Sequence, residues 1–168
     1  MDEIVNKVEE SGLIQMDMET FKPKIEIIEI DLAPQLWQGL VLKENEFRQW
    51  IKVHDWSIYK NKAVYVHCNA DAIIPTWAFV LVGIQLEGVA YKSIIGNKTD
   101  LLQSLTADNI NSLDISEYKD ARLIIKGCSE IASPEFAMTL LVQRLKNVAK
   151  SIMYGEPCST VPLFKRKN

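Results

Sequence analysis

Apolar positions along the chain fall into two kinds of pattern, short runs that alternate with polar residues and longer stripes at helical spacing. Residues 2–11 read as a helix: Ile4, Val5 and Val8 share one face, acidic residues open it and Gly12 stops it. Ile14, Met16 and Met18 then alternate with Gln15 and Asp17, which predicts a strand. Ile25, Ile27 and Ile30 with Glu26 and Glu29 predict a second strand with one wet face. Residues 36–42, broken by Gly39, are expected to pair with that strand as a hairpin across Ala33-Pro34. Phe47, Trp50, Ile51 and His54 recur at i, i+3, i+4 and i+7, so residues 44–54 form a helix with an aromatic face.

The second half alternates more regularly. A strand over 63–68 is followed by a nearly all-apolar helix over 75–86, with Pro75 suited to its first turn. A strand over 89–95, a short helix over 99–105, a helical turn over 114–118 and an apolar strand over 122–126 come next. The last helix has the clearest start in the chain, with Ser133 as N-cap, Pro134 in the first position and Glu135 in the first turn. Its stripe of Phe136, Leu140, Leu141, Leu145, Val148 and Ile152 predicts a helix that runs to about Met153.

Strands alternating with helices from Ala63 onward point to βαβ units. The expected architecture is α/β: one domain over 1–168 with a mixed, mostly parallel sheet flanked by helices and an antiparallel N-terminal edge. Within it, 1–60 holds the first helix, short strands and the aromatic helix, 61–155 a βαβαβα core and 156–168 a tail. No internal repeat and no linker is visible along the sequence.

Composition narrows the function classes. With 168 residues, 48% hydrophobic and 24% charged, the chain is ordinary for a globular protein with a real core. A net charge of −3 argues against a nucleic-acid partner held through phosphates. The longest apolar run, Trp77 to Ile84, is far below the roughly 20 residues that cross a bilayer, so no membrane partner is expected. Without an export signal or lipidation motif the expected location is cytoplasmic, where thiols stay reduced. Dinucleotide, P-loop, hydrolase-elbow, zincin and C-x-x-C motifs are all missing from the sequence.

Thiol and imidazole chemistry must therefore draw on three cysteines and two histidines. Cys68 closes one predicted strand and Cys128 follows another by two residues, which places both beyond the carboxyl ends of strands and before helices. Asp71 adds a carboxylate in the first of these loops. His67 is adjacent to Cys68, but strand alternation points the two side chains apart. Cys158 is expected at the opposite edge, because a helix from Pro134 to Met153 would carry the chain there; reaching the other thiols needs a kink, a returning tail or a second subunit. The competing reading is plain packing, since free cysteine behaves as a small hydrophobe. His54 reads as a satisfied histidine at the core edge, and Lys165-Arg166-Lys167 as a solvated tail.

Three stretches carry a resemblance. They are His67-Cys68-Asn69-Ala70-Asp71 continuing to Ala78, Ile125-Lys126-Gly127-Cys128, and Ala149 to Leu163 with its core Tyr154-Gly155-Glu156-Pro157-Cys158. Together with Glu3 to Val8 and Leu36 to Leu40 they resemble domain-of-unknown-function family 2480, a Bacteroidetes group of hypothetical proteins. The resemblance implies no reaction. It makes Cys68, Cys128 and Cys158 the motif cysteines, with Asp71 and Glu156 beside them. Its gene neighbourhood implies a tie to iron–sulfur cluster assembly.

Two readings follow. In the first, Cys68, Cys128 and Cys158 hold a zinc ion or an iron–sulfur species, with Asp71 or His67 completing the site and iron–sulfur assembly proteins as partners. In the second, the chain is a non-enzymatic homodimeric adaptor with inert cysteines and an interface on the Trp77–Ile84 helix. A thiol enzyme using Cys68 as nucleophile would need a base that no neighbour supplies.

Overall fold

The computed structural model describes residues 12–127 and 130–167. In chain order these form β1 (Leu13–Asp17), β2 (Ile27–Asp31), β3 (Leu36–Trp37), β4 (Val41–Leu42), α1 (Glu44–Val53), β5 (Ala63–His67), α2 (Thr76–Leu86) and β6 (Lys92–Ile95). They continue with α3 (Lys98–Asn111), β7 (Arg122–Lys126), α4 (Pro134–Leu145), β8 (Ser151–Glu156) and β9 (Ser159–Lys165). The fold is mixed α/β with mostly parallel strands, as the alternation predicted. The predicted N-terminal helix over 2–11 lies outside the described residues. The chain divides into two compact units, a continuous one over Lys24–Leu101 and a split one made of the described parts of Met1–Pro23 and Leu102–Asn168. The boundary falls inside α3.

In the continuous unit β5 lies between β2 and β6, all parallel. One face of this sheet buries Ile30, Val64 and Val66 against Ala78, Val82 and Leu86 of α2 and Phe47 and Ile51 of α1. The helical stripe and the strand alternation thus meet in one core, the reason both patterns were visible. Around it Trp50, His54, Trp56 and Tyr59 form an aromatic cluster in which His54 stacks on Tyr59 and meets Trp56 edge-on, with His54 Nε2 and the Tyr59 hydroxyl 2.8 Å apart. His54 is the satisfied histidine that its position predicted.

In the split unit the order is β1-β7-β8-β9, with β1, β7 and β8 parallel and β9 antiparallel to β8. Its core joins Met16, Leu123, Ile125 and Ile152 of the sheet to Ala137, Leu141 and Leu145 of α4 and Ile110 of α3.

Five expectations are corrected. The N-terminal strands β1 and β2 are not antiparallel edges; each runs parallel to the central strand of its own sheet, and the large antiparallel pairing is C-terminal. Residues 36–42 do not pair with β2 but fold on themselves, Leu36 opposite Leu42 and Trp37 opposite Val41. The last helix stops at Leu145: Val148 N and Ala149 N both turn back to the Leu145 carbonyl, and residues 151–156 leave as a strand. Ile152 was buried either way, so its place in an apolar stripe could not separate helix from strand. Ser133 does precede the helix, but in a left-handed conformation (φ 53°), and its hydroxyl reaches Gln103 Oε1 rather than a helix N–H.

The fifth correction is that the chain contains an internal repeat. In the continuous unit Ala63 pairs with Lys92, and in the split unit Arg122 pairs with Ser151, so both partners advance by the same 59 residues (63 to 122, 92 to 151). The same offset relates the preceding turns. Asp55 Oδ1 accepts from Ser57 N at 3.0 Å, and Asp114 Oδ1 accepts from Ser116 N at 3.0 Å. Asn61 and Asp120 then adopt left-handed φ of 60° and 57°, which short polar side chains tolerate. Asn61 N donates to Val89 O and Asp120 N to Val148 O; Tyr91 N donates to Lys62 O and Lys150 N to Ala121 O. The buried helix positions correspond as well, Ala78 with Ala137, Val82 with Leu141 and Leu86 with Leu145. Even the first strands match: Asp31, opposite His67, accepts from Ala33 N, and Asp17, opposite Lys126, accepts from Glu19 N. Each unit is therefore one strand, a helix, an Asp-x-Ser turn, and a strand–helix–strand, with the two first strands placed consecutively at the start of the chain.

Candidate functional site

Because β1, β7 and β8 are parallel, their carboxyl ends, Asp17, Lys126 and Glu156, lie on one edge of the split unit's sheet. That is the edge where open α/β sheets bind ligands. A cleft of about 700 Å³ sits there. Met18 lines it from beyond β1, Lys126 and Gly127 from β7, and Tyr154 to Glu156 from β8. Pro134, Glu135 and Met138 of α4, with Ile131 and Leu163, complete a mostly apolar lining. The size and character fit a small-molecule site.

Two glycines shape this edge. A Cβ on Gly127 would stand 2.7 Å from the Tyr154 hydroxyl, so the bare backbone lets the tyrosine ring lie against it. Gly155 holds φ 122°, and a Cβ there would run into the Ser159 carbonyl oxygen, so glycine permits the tight return from β8 to β9. Lys126 Nζ and Glu156 Oε1 pair at 3.3 Å. The hydrogen bond to Glu156, and then the charges of Glu156, Asp17 and Glu19, raise the Lys126 ammonium above its ordinary value.

The expected site residues fall as follows. Cys158 is exposed in the turn between β8 and β9, where Glu156 pairs with Ser159. It is therefore at the carboxyl edge, not the opposite one: the missed strand β8 brings the tail back. Cys128 lies outside the described residues. Cys68 belongs to the continuous unit, where it is half-buried against the core, with Sγ 3.9 Å from the Ala70 carbonyl oxygen. His67 points away from it, as alternation predicted, and pairs with the Glu29 carboxylate beside the Tyr65 ring. Asp71 is exposed in the following loop. Among the described residues no three His, Cys, Asp or Glu side chains come together to hold a metal ion, so His67, Cys68 and Asp71 do not form such a group.

The continuous unit's edge is held differently. Asp31 Oδ1 accepts from the N–H groups of Ala33 (2.9 Å) and Asn69 (3.0 Å). Burial works to raise its carboxyl, but these hydrogen bonds and the His67 charge hold it below its ordinary value. Sequence reasoning missed Lys126, Gly127, Met138 and Tyr154 as site residues; the available signal was the Met153-Tyr154-Gly155-Glu156 run, whose Gly155 ends a strand as readily as a helix.

Among the described residues no helix is long and apolar enough to cross a membrane. Neither a curated protein nor a solved structure matches the chain. A family model described as a protein of unknown function, DUF2480, matches residues 2–166, and the chain belongs to that family.

Proposed function

We propose that this protein is a cytoplasmic thiolate metal-binding accessory protein that works in iron–sulfur cluster assembly, with its metal at the carboxyl edge of the split unit. The observation that supports this is the return of β8: it sets Cys158 at the edge where β7 ends, two residues before Cys128. Two thiolates select soft species such as zinc or an iron–sulfur cluster and leave coordination positions open for a donor or an acceptor. Cys68, packed on the continuous unit's core, is dispensable in this reading. The test is metal and sulfide content, with a visible spectrum, on untagged protein purified without oxygen. A stoichiometric metal with thiolate charge-transfer bands, lost in Cys128→Ser and kept in Cys68→Ser, is the expected result. Unchanged metal content in Cys128→Ser would refute the proposal.

One observation favours the adaptor reading as the alternative. Helix α2 buries Ala78, Val82 and Leu86, while Val80 and Ile84, one turn apart, are 53% and 59% exposed. A second copy of the chain would cover that stripe, so this reading predicts a concentration-dependent dimer that Val80→Glu disrupts. A monomer at all concentrations in analytical ultracentrifugation would dismiss it.

A further inference from the structure

We infer that the cleft at the split unit's carboxyl edge binds a small organic ammonium compound, with an apolar or aromatic body in the cleft and its cationic head at the acidic mouth. This inference does not rest on a metal held by the thiols. The volume of about 700 Å³ lies within the range of small-molecule pockets. Its lining includes Met18, Ile131, Met138, Leu163 and Tyr154, which suit an apolar body.

The charge at the mouth selects the head group. Glu135 and Glu156 line the cleft, and Asp17 and Glu19 flank the lining residue Met18 and act on Lys126. Against these four carboxylates stands Lys126, already paired with Glu156; the nearby Lys22 and Glu130 pair with each other. The local balance is acidic, and a cleft with low-dielectric walls strengthens its pull on a cation.

Comparison with the other unit shows that two of these charges, Glu135 and Glu156, are not part of the shared scaffold, whereas Asp17 corresponds to Asp31. At the offset of 59 residues, Lys126, Glu135 and Glu156 correspond to His67, Thr76 and Asn97, and Gly127 to Cys68. The repeat conserves the packed positions and the turn caps, yet at this edge the split unit carries charged residues and a bare glycine. Packing gives no reason for Glu135 and Glu156, since both are exposed.

The test is isothermal titration of the full chain, in the presence of a chelator, with phenethylamine and with 3-phenylpropionate as the anionic counterpart of equal body. The expected result is saturable one-to-one binding of the amine, with the acid at least about tenfold weaker, two lost surface attractions being worth about that factor. Met138→Trp fills the cleft and abolishes binding. The Glu135→Gln/Glu156→Gln pair weakens the amine about tenfold and leaves the acid no weaker; it decides the matter should the tryptophan variant fail to fold. Absence of saturable binding, equal binding of amine and acid, or unchanged amine binding in the double glutamine variant would each overturn the inference.

Discussion

At the end of β6 the continuous unit passes through Gly96 into a helix; at the same place the split unit passes through Gly155 into a hairpin. The first exit is locked by a reciprocal cap, with Asn97 N donating to Asp100 Oδ2 and Asp100 N to Asn97 Oδ1, both at 3.0 Å. This arrangement satisfies the free N–H groups of α3 with the chain's own side chains. The second exit adds β9 to the sheet and leaves Tyr154, Glu156 and Cys158 at the carboxyl edge. Two copies of one βαβ plan have thus diverged where a parallel sheet meets its ligands and stayed alike where helix packs on strand. The difference teaches that scaffold and site can be separated inside a single chain by asking which positions the repeat retains.

The comparison can be broken most forcefully in the two cores. Leu86 and Leu145 are 1% and 0% exposed at equivalent helix positions. Leu86→Ala and Leu145→Ala should each cost about 2–5 kcal/mol in urea melts. A loss below about 1 kcal/mol at either site would deny that the two helices play the same part. The exits come next. Alanine at Gly155 meets backbone at a strained φ, so Gly155→Ala should cost about 2–3 kcal/mol. At Gly96 φ is 153°, which a side chain rarely adopts, and the Asp100 carboxylate 2.7 Å away would have to leave its bond to Asn97 N, so Gly96→Ala should cost about 2 kcal/mol.

A smaller effect sharpens the comparison at the cleft. Gly127→Ala forces the Tyr154 hydroxyl to move and should cost about 1 kcal/mol or less. The continuous unit carries Cys68 and Ile95 at these two places. Adding Tyr154→Ile should therefore remove most of the penalty, as a double-mutant cycle would record. The smallest effects lie on the acid limb. Asp31, Asp55 and Asp114 have folded values held below the ordinary carboxyl value. Their stabilisation is present above the unfolded value, near 3.9, and is lost as pH falls through the lower folded value. Asp55→Asn and Asp114→Asn should each flatten the acid limb of a pH–stability curve, because each caps its Ser two residues on, with Asp55→Asn somewhat the larger because the His54 charge also acts on Asp55. No flattening in one or other variant would show that the two turns are not equivalent.

Much of the fold was legible in the sequence. The helices over 44–53 and 76–86, the strands β5 and β7 and the turn over 115–118 each combine a strong period with a cap or a breaker. Strand β8 was not, because Leu145, Val148 and Ile152 extend a helical stripe across the turn and burial alone does not distinguish the two conformations. The repeat stayed hidden for a related reason. Its identities, such as Asp55 with Asp114, Tyr59 with Tyr118 and Pro75 with Pro134, are scattered, and the two first strands stand outside the repeated span. Of the site, the sequence placed Cys68 beyond β5 and turned His67 away from it. It misplaced Cys158, since a helix to Met153 points that residue to the wrong edge, and with β8 missed no cleft could be foreseen.

The central claim, that the split unit's edge is the working site and the continuous unit's edge is scaffold, is tested most directly by titrating reduced, metal-free protein with cobalt(II). The account predicts thiolate-to-cobalt charge-transfer absorption that is lost in Cys128→Ser and in Cys158→Ser and retained in Cys68→Ser. No thiolate band in the parent protein, or a band that disappears with Cys68, would contradict it.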